Sequence, residues 1–405
     1  MHVTRGVILA TLIFGVAACA QRPHGFLIPS RQAPPGTSLV QMLVATTRAP
    51  NEAEPGEMFS GERGAGFSFA DITVSIPPEG NRKVGEVQWP TTQPPDPMRE
   101  FTTVEASVMT KEQAVAEFNR HIKQTPRRQV LVFVHGYNTR FGEAVYRFAQ
   151  IAHDSAAYVT PVLFTWPSRG KLLHYGYDHE SANYSRDALE TLLQTLSHNP
   201  NVGEISILAH SMGNWVTLEA LRQMAIRDRG LSPKIQNVML AAPDVDFDVF
   251  RRQIATIDAR PSIFTIFVSR DDEALATSRQ VWGDKPRVGA VDPTAAPYDE
   301  TFRSNRVQVI DLTDVASGGG DSLGHTKFAE APQVVRSIGA RLAAGQALND
   351  GGGGVGEKLG QVATGAGSAV GAAVTAPLVI ADPSSRDSLD ERLESIGERL
   401  GHAAR

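Results

Sequence analysis

A single cysteine in 405 residues excludes an intramolecular disulfide and any zinc site built on several thiolates. Blocks of like charge are also missing. The 39 Lys and Arg and 44 Asp and Glu are interspersed and leave a formal net charge of -5, so the sequence carries no electrostatic footprint for a phosphate backbone. Nucleic acid is therefore not an expected partner. Apolar runs long enough for a multi-span membrane protein are absent, and so are internal repeats. What remains is 41% hydrophobic and 20% charged residues, enough apolar material for one large domain with flexible ends or two modest ones.

The lone cysteine, Cys19, sits at the end of the first apolar stretch. Gly6 to Ala18 is 13 residues long, short of the roughly 20 that a spanning helix needs, and it follows Arg5 as a signal-peptide core does. Its last residues, Val16-Ala17-Ala18-Cys19, resemble the lipobox of bacterial lipoproteins, in which small residues precede a cysteine that takes a lipid and becomes the new N-terminus. An ordinary cleaved signal with an incidental cysteine, or an uncleaved anchor, is the alternative. Asp, Glu and Lys are absent from the first 51 residues and four prolines follow the cysteine, which suits a tether. The expected organisation is a signal peptide over 1–18, a lipidated tether over 19–37, a folded domain over 38–345 and a Gly-rich tail with a short amphipathic helix over 346–405. The expected location is the bacterial envelope, held to a membrane through Cys19.

Within the domain, Leu39 to Thr46, Phe67 to Ile76 and Phe101 to Met109 alternate or are β-branched and read as leading strands. From about residue 129, short apolar runs alternate with helical spacing: Val130 to Val134, Val162 to Thr165, Ile205 to Leu208, Ile235 to Leu240, Ile263 to Val268 and Val307 to Ile310. Continuous apolar strands separated by amphipathic helices predict an α/β fold, a mostly parallel sheet covered on both faces.

One junction of strand and helix carries chemistry. In Glu204-Ile-Ser-Ile-Leu-Ala-His-Ser-Met-Gly-Asn-Trp-Val216, Ser211 stands where a strand turns sharply into a helix, and Ala209 and Gly213 are small enough to permit the turn. The pattern alone occurs about once by chance in a chain this long, so context decides. Gly320-Asp-Ser-Leu-Gly324 spells the glycine form more strictly, but Ser322 follows a glycine loop rather than a strand, and no helix begins after it. Ser322 is read as a decoy.

A serine nucleophile needs a base, an acid to orient that base, and donors for the oxygen that becomes negative. Two backbone N–H groups are expected to serve as donors: Met212, at the helix N-terminus, and Tyr137, in His135-Gly-Tyr-Asn138 after the strand ending at Val134. The plain reading of that loop is a turn with a buried His135. His325 is the one histidine between Ser211 and the tail, and it follows the last strand, as the chain order serine, acid, histidine requires. For the acid, Asp272 in Ser269-Arg-Asp-Asp-Glu273 is the first choice, with Asp271 expected to cap the next helix; Asp244 and Asp246, one strand earlier, compete.

Val132-Phe-Val-His-Gly-Tyr-Asn138, Phe164-Thr-Trp-Pro-Ser168, Ala209-His-Ser-Met-Gly-Asn214, Leu240-Ala-Ala-Pro-Asp-Val-Asp246 and Gly324-His325 together resemble the α/β-hydrolase superfamily and, more narrowly, a bacterial family of esterase- or lipase-like hydrolases of unknown function. The resemblance covers residues 129–345. It implies an eight-stranded, mostly parallel sheet and no cofactor. The expected activity is hydrolysis of a carboxylic ester or thioester, small-molecule or lipid, through an acyl-enzyme on Ser211; a non-catalytic envelope lipoprotein using the fold as an interaction platform is the rival. Trp166, Tyr175 and Tyr177 are read as a loop that lines an acyl pocket or simply packs. His174, Asp178 and His179 match no metal-binding spacing, so no metal is expected.

Overall fold

The structure is a computed structural model, and it describes residues 24–344 apart from 31–32, 55, 258–262 and 317–322. The signal-peptide region, Cys19, Ser322 and the tail lie outside the described residues. Nine strands form one sheet. β1 (Ser38–Pro50), β2 (Phe59–Ile76) and β3 (Thr102–Met109) make an antiparallel meander. β4 (Gln129–Val134), β5 (Thr160–Thr165), β6 (Glu204–His210), β7 (Ile235–Ala241), β8 (Phe264–Val268) and β9 (Gln308–Asp311) then add in parallel. The spatial order is β3-β2-β1-β5-β4-β6-β7-β8-β9, and β2 alone runs against the rest. All nine segments with strand character in the sequence are strands, one more than the eight implied by resemblance.

The crossover helices include α1 (Lys111–Gln124), α2 (Phe141–Asp154), α3 (Tyr175–His198), α4 (Gly213–Asp228) and α5 (Phe247–Ile257). They are followed by α6 (Glu273–Val281), α7 (Tyr298–Ser304), α8 (Lys327–Glu330) and α9 (Pro332–Ala344). Two apolar cores result, one per face of the sheet, because successive strand side chains alternate. Along β4, Val130, Val132 and Val134 join α1, α3, α4 and α5 in one core, while Leu131 and Phe133 join α2 and α9 in the other.

Two boundaries differ from the sequence expectation. The fold includes residues before 38: Phe26 and Leu27 are buried, Phe26 packs 4.6 Å from the Tyr146 ring, and the Ser30 N–H donates to the Thr103 carbonyl. Two large apolar side chains outweigh the proline-rich, tether-like composition around them. Helix α3 begins at Tyr175, so Tyr175 and Tyr177 belong to its first turn and not to a loop. Among the described residues no helix is long and apolar enough to cross a membrane.

Candidate active site

Ser211 lies between the end of β6 and the start of α4 with φ of +53°, a left-handed conformation that costs a non-glycine residue on the order of 1–3 kcal/mol. The surroundings hold it there. Its N–H donates to the Ala241 carbonyl at 3.0 Å, and its own carbonyl accepts from the N–H groups of Asn214 and Asp244 at 3.1 and 3.2 Å. The buried Asn214 side chain donates to both the Ser211 and Ala241 carbonyls at 2.9 Å. The turn also demands close packing. A Cβ on Gly213 would sit 2.4 Å from the His135 carbonyl oxygen, and one on Gly136 would sit 2.8 Å from the Ser211 Cβ. The loop after β4 therefore rests directly on the turn. Met212 is buried, and its N–H donates to no acceptor among the described residues.

That loop is anchored from below by a network the sequence did not reveal. His135 is buried and stacks on Trp166 at 4.9 Å; its Nδ1–H donates to the Gly136 carbonyl, and its Nε2 accepts from the Trp166 backbone N–H. These partners fit a neutral ring. Burial first, then the neighbouring Arg48 cation, pushes its pKa down to about 3. Arg48, at the end of β1, is fully buried and donates to the carbonyls of Ser60, Thr139 and Ser168 and to the Thr165 hydroxyl. Burial lowers its pKa to about 10, opposed chiefly by the charge of Asp178.

Asp178, in the first turn of α3, accepts from the backbone N–H groups of Asn138 and Arg169 and from the Ser168 hydroxyl. One carboxylate thus joins the loop after β4 to the loop after β5. Its burial raises its pKa against those hydrogen bonds. Tyr137 projects from the same loop, its hydroxyl donating to the Leu172 carbonyl and its ring 4.9 Å from Tyr175.

On the other side of the turn, the loop after β8 meets the loop before α8. Asp272 caps α6: its Oδ1 accepts from the Leu275 N–H at 2.9 Å, and its Oδ2 lies 2.7 Å from His325 Nδ1. The His325 carbonyl accepts from His210 Nε2 at 3.2 Å, and the two rings lie 4.7 Å apart, so the residue before Ser211 touches His325. Leu323 accepts from the Glu273 N–H, and Lys327 donates to Asp271 and to the Leu312 and Thr313 carbonyls, which closes the junction.

The other aspartates are engaged elsewhere. Asp271, expected as the helix cap, instead pairs with Lys327 at 2.7 Å, because Asp272 supplies both the cap and the histidine contact. Asp244 accepts from the Tyr175 and Ser278 hydroxyls at 2.6 Å each, and Asp246 caps α5 through the N–H groups of Asp248 and Val249.

Residues 110–341, more than half of the chain, match the family described as alpha/beta hydrolase of unknown function (DUF900). The chain belongs to this family. An uncharacterised protein, alr1448, from Nostoc sp. (strain PCC 7120 / SAG 25.82 / UTEX 2576) is 24% identical, the match covering 44% of this chain and 61% of that relative's length. Among solved structures, one from a study of two fungal esterases from Rhizomucor miehei overlaps with a TM-score of 0.32 at 10% identity, covering 78% of this chain and 84% of the other.

In this α/β hydrolase the aromatic residues near the turn have packing and hydrogen-bonding roles. Trp166 is wholly buried and donates through Nε1 to the His135 carbonyl. Tyr175 bonds Asp244, and Tyr177 bonds the Gly61 carbonyl beneath the Arg169 guanidinium. His179 packs on Trp215 and Trp282, and among the described residues no cluster of His, Cys, Asp or Glu is arranged to hold a metal.

Proposed function

We propose that this hydrolase cleaves carboxylic esters or thioesters through an acyl-enzyme on Ser211. The Ser211 hydroxyl gives its proton to His325 Nε2 as its oxygen bonds the carbonyl carbon, and the N–H groups of Met212 and Tyr137 stabilise the oxygen that becomes negative. His325 then passes the proton to the departing alcohol or thiol, and water repeats the sequence to release the acid. Asp272 holds the ring with Nδ1 protonated and offsets the imidazolium charge. No cofactor enters these steps.

The observation that carries this reading is the 2.7 Å contact between Asp272 and His325, formed beside a serine held at positive φ. A serine-directed fluorophosphonate should label the wild type and not Ser211→Ala, with a parallel loss of p-nitrophenyl ester hydrolysis. An unlabelled, inactive wild type would instead favour a scaffold that binds partners.

The sequence around Cys19 supports a second element of the reading: a lipid-anchored protein of the bacterial envelope that meets membrane lipid esters or imported esters as substrates. Incorporation of radiolabelled palmitate, lost in Cys19→Ser, tests the anchor, and an ester panel from short to long acyl chains tests the substrate class.

A further inference from the structure

The loop between β5 and α3 puts apolar side chains where water is. Past the buried Trp166 it reads Arg169-Gly-Lys-Leu-Leu-His174, and Leu172 and Leu173 are 71% and 97% exposed. A single exposed leucine is ordinary, but this pair belongs to a larger feature. The Leu172 carbonyl accepts from the Tyr137 hydroxyl, the Tyr137 ring lies 4.9 Å from Tyr175, and the Tyr175 ring lies 5.7 Å from Trp282 at the end of α6. Trp282 and its neighbour Val281 are exposed as well. An apolar ridge therefore runs from the loop after β5 to the end of α6, along the carboxyl edge of the sheet where Ser211 turns.

Each end of the ridge carries a lysine. Lys171 precedes Leu172 and Lys285 follows Trp282 by three residues; both are exposed, and neither forms an ion pair among the described residues. Asp284, between Trp282 and Lys285, bonds Arg279. Leucine and tryptophan tips flanked by ammonium groups suit the boundary of a bilayer, where the apolar parts enter the acyl layer and the lysines meet phosphate.

The place where the chain enters the domain selects the edge that faces such a surface. Arg140 Nη1 donates to the His24 ring at 2.8 Å, and a Cβ on Gly142 would sit 2.7 Å from the Phe26 ring, so residues 24–26 lie over the first turn of α2, beyond the carboxyl end of β4. Arg140 also packs on Gly170, the residue before Lys171: a Cβ there would sit 2.4 Å from the Arg140 Cγ. Cys19 precedes His24 by five residues, which span at most about 18 Å when fully extended. A folded domain of this length is about 50 Å across. A lipid on Cys19 is thus tied too closely to the ridge for the opposite end of the sheet to face the membrane.

On the lipid-anchored reading of Cys19, on which this depends, we propose that the Leu172–Leu173 tip and the Val281–Trp282 edge dock on the surface of a lipid bilayer, so that the Ser211 turn faces the membrane and takes its ester from the lipid phase. Docking itself uses neither Ser211 nor His325.

The full chain with Leu173→Cys, its Cys19 occupied by lipid, offers one thiol for a polarity-sensitive fluorophore. In vesicles of phosphatidylethanolamine and phosphatidylglycerol, its emission is expected to shift to the blue and to be quenched by lipids brominated in the acyl chains. The same fluorophore on Tyr158→Cys, exposed on the loop before β5 at the opposite end of the sheet, is expected to do neither. Leu173→Glu should slow hydrolysis of a long-chain ester held in those vesicles by about tenfold or more, with cleavage of dissolved p-nitrophenyl acetate unchanged. Palmitate incorporation reports the anchor separately. A lipidated chain whose Leu173→Cys fluorophore stays in water, responds no more than that at Tyr158→Cys, or shifts without quenching, as it would beneath a second copy of the chain, overturns the proposal. A Ser211→Ala chain that still docks, beside a wild type without esterase activity, would sink the hydrolytic reading and leave the docking face standing.

Discussion

Asp272 uses its two oxygens for different purposes, and that division makes its role testable. Oδ1 caps α6 and Oδ2 contacts His325. Asparagine is as good an N-cap as aspartate, so Asp272→Asn should leave the melting temperature within a few degrees while removing the charge that favours an imidazolium. Its kcat on a p-nitrophenyl ester should fall about 10³- to 10⁴-fold, and Asp272→Ala should lose about 1 kcal/mol of stability in addition. Asp244→Asn should do the reverse, lowering stability through Tyr175, Ser278 and Arg287 while kcat changes by less than about tenfold. A larger kcat loss at Asp244 than at Asp272 would reassign the acid. The neighbouring Asp271 shows what the sequence could not convey. Local rules put a cap somewhere in Arg270-Asp-Asp-Glu273, but its partner Lys327 lies 56 residues away, and no local pattern announces such a pairing.

At the level of elements, strands were legible because a parallel strand buried on both faces must be a short continuous apolar run, and the runs at β4 to β8 are wholly buried or nearly so. The turn at Ser211 was legible for a related reason: small residues flank a serine between such a run and a helix. The start of α3 was not legible. Its first turns, Tyr175-Gly-Tyr-Asp-His-Glu-Ser-Ala-Asn-Tyr184, are polar and aromatic, and Asp178 and Ser181 are buried by hydrogen bonding rather than by apolar periodicity. Arg48 is a similar case. Nothing in Ala45-Thr-Thr-Arg-Ala-Pro50 marks it in the sequence, yet it is inside because carbonyls from three other segments converge on it. Residues that bind the loops around the Ser211 turn together through polar contacts carry no hydrophobic signature, so Asp178, Arg48 and Asn214 emerge from the three-dimensional arrangement.

Across the whole molecule, two neutral histidines, His135 in the interior and His210 half-buried beside the Ser211 turn, tie stability to pH. Burial and Arg48 lower His135 to about 3, and burial, with the nearby His325, lowers His210 well below the usual imidazole range. The unfolded chain binds protons at these sites near pH 6.5 while the folded chain does not, so stability is fully present above about 6.5 and declines as pH falls toward the folded-state values. Each histidine contributes a slope of about 1.4 kcal/mol per pH unit within that window. Asp154 acts in a lower window. Hydrogen bonds from His153, Arg82, Gly85 and Gln150 outweigh its burial and depress its carboxyl, so its contribution holds above about pH 4 and is lost only with further acidification. Urea unfolding between pH 7 and pH 5 should therefore show a stability loss approaching two protons' worth, with the imidazole NMR signals of His135 and His210 unshifted over the same range. If those two rings titrated near pH 6.5 in the folded protein, the packed, neutral arrangement that seats the loop after β4 against the Ser211 turn would be wrong.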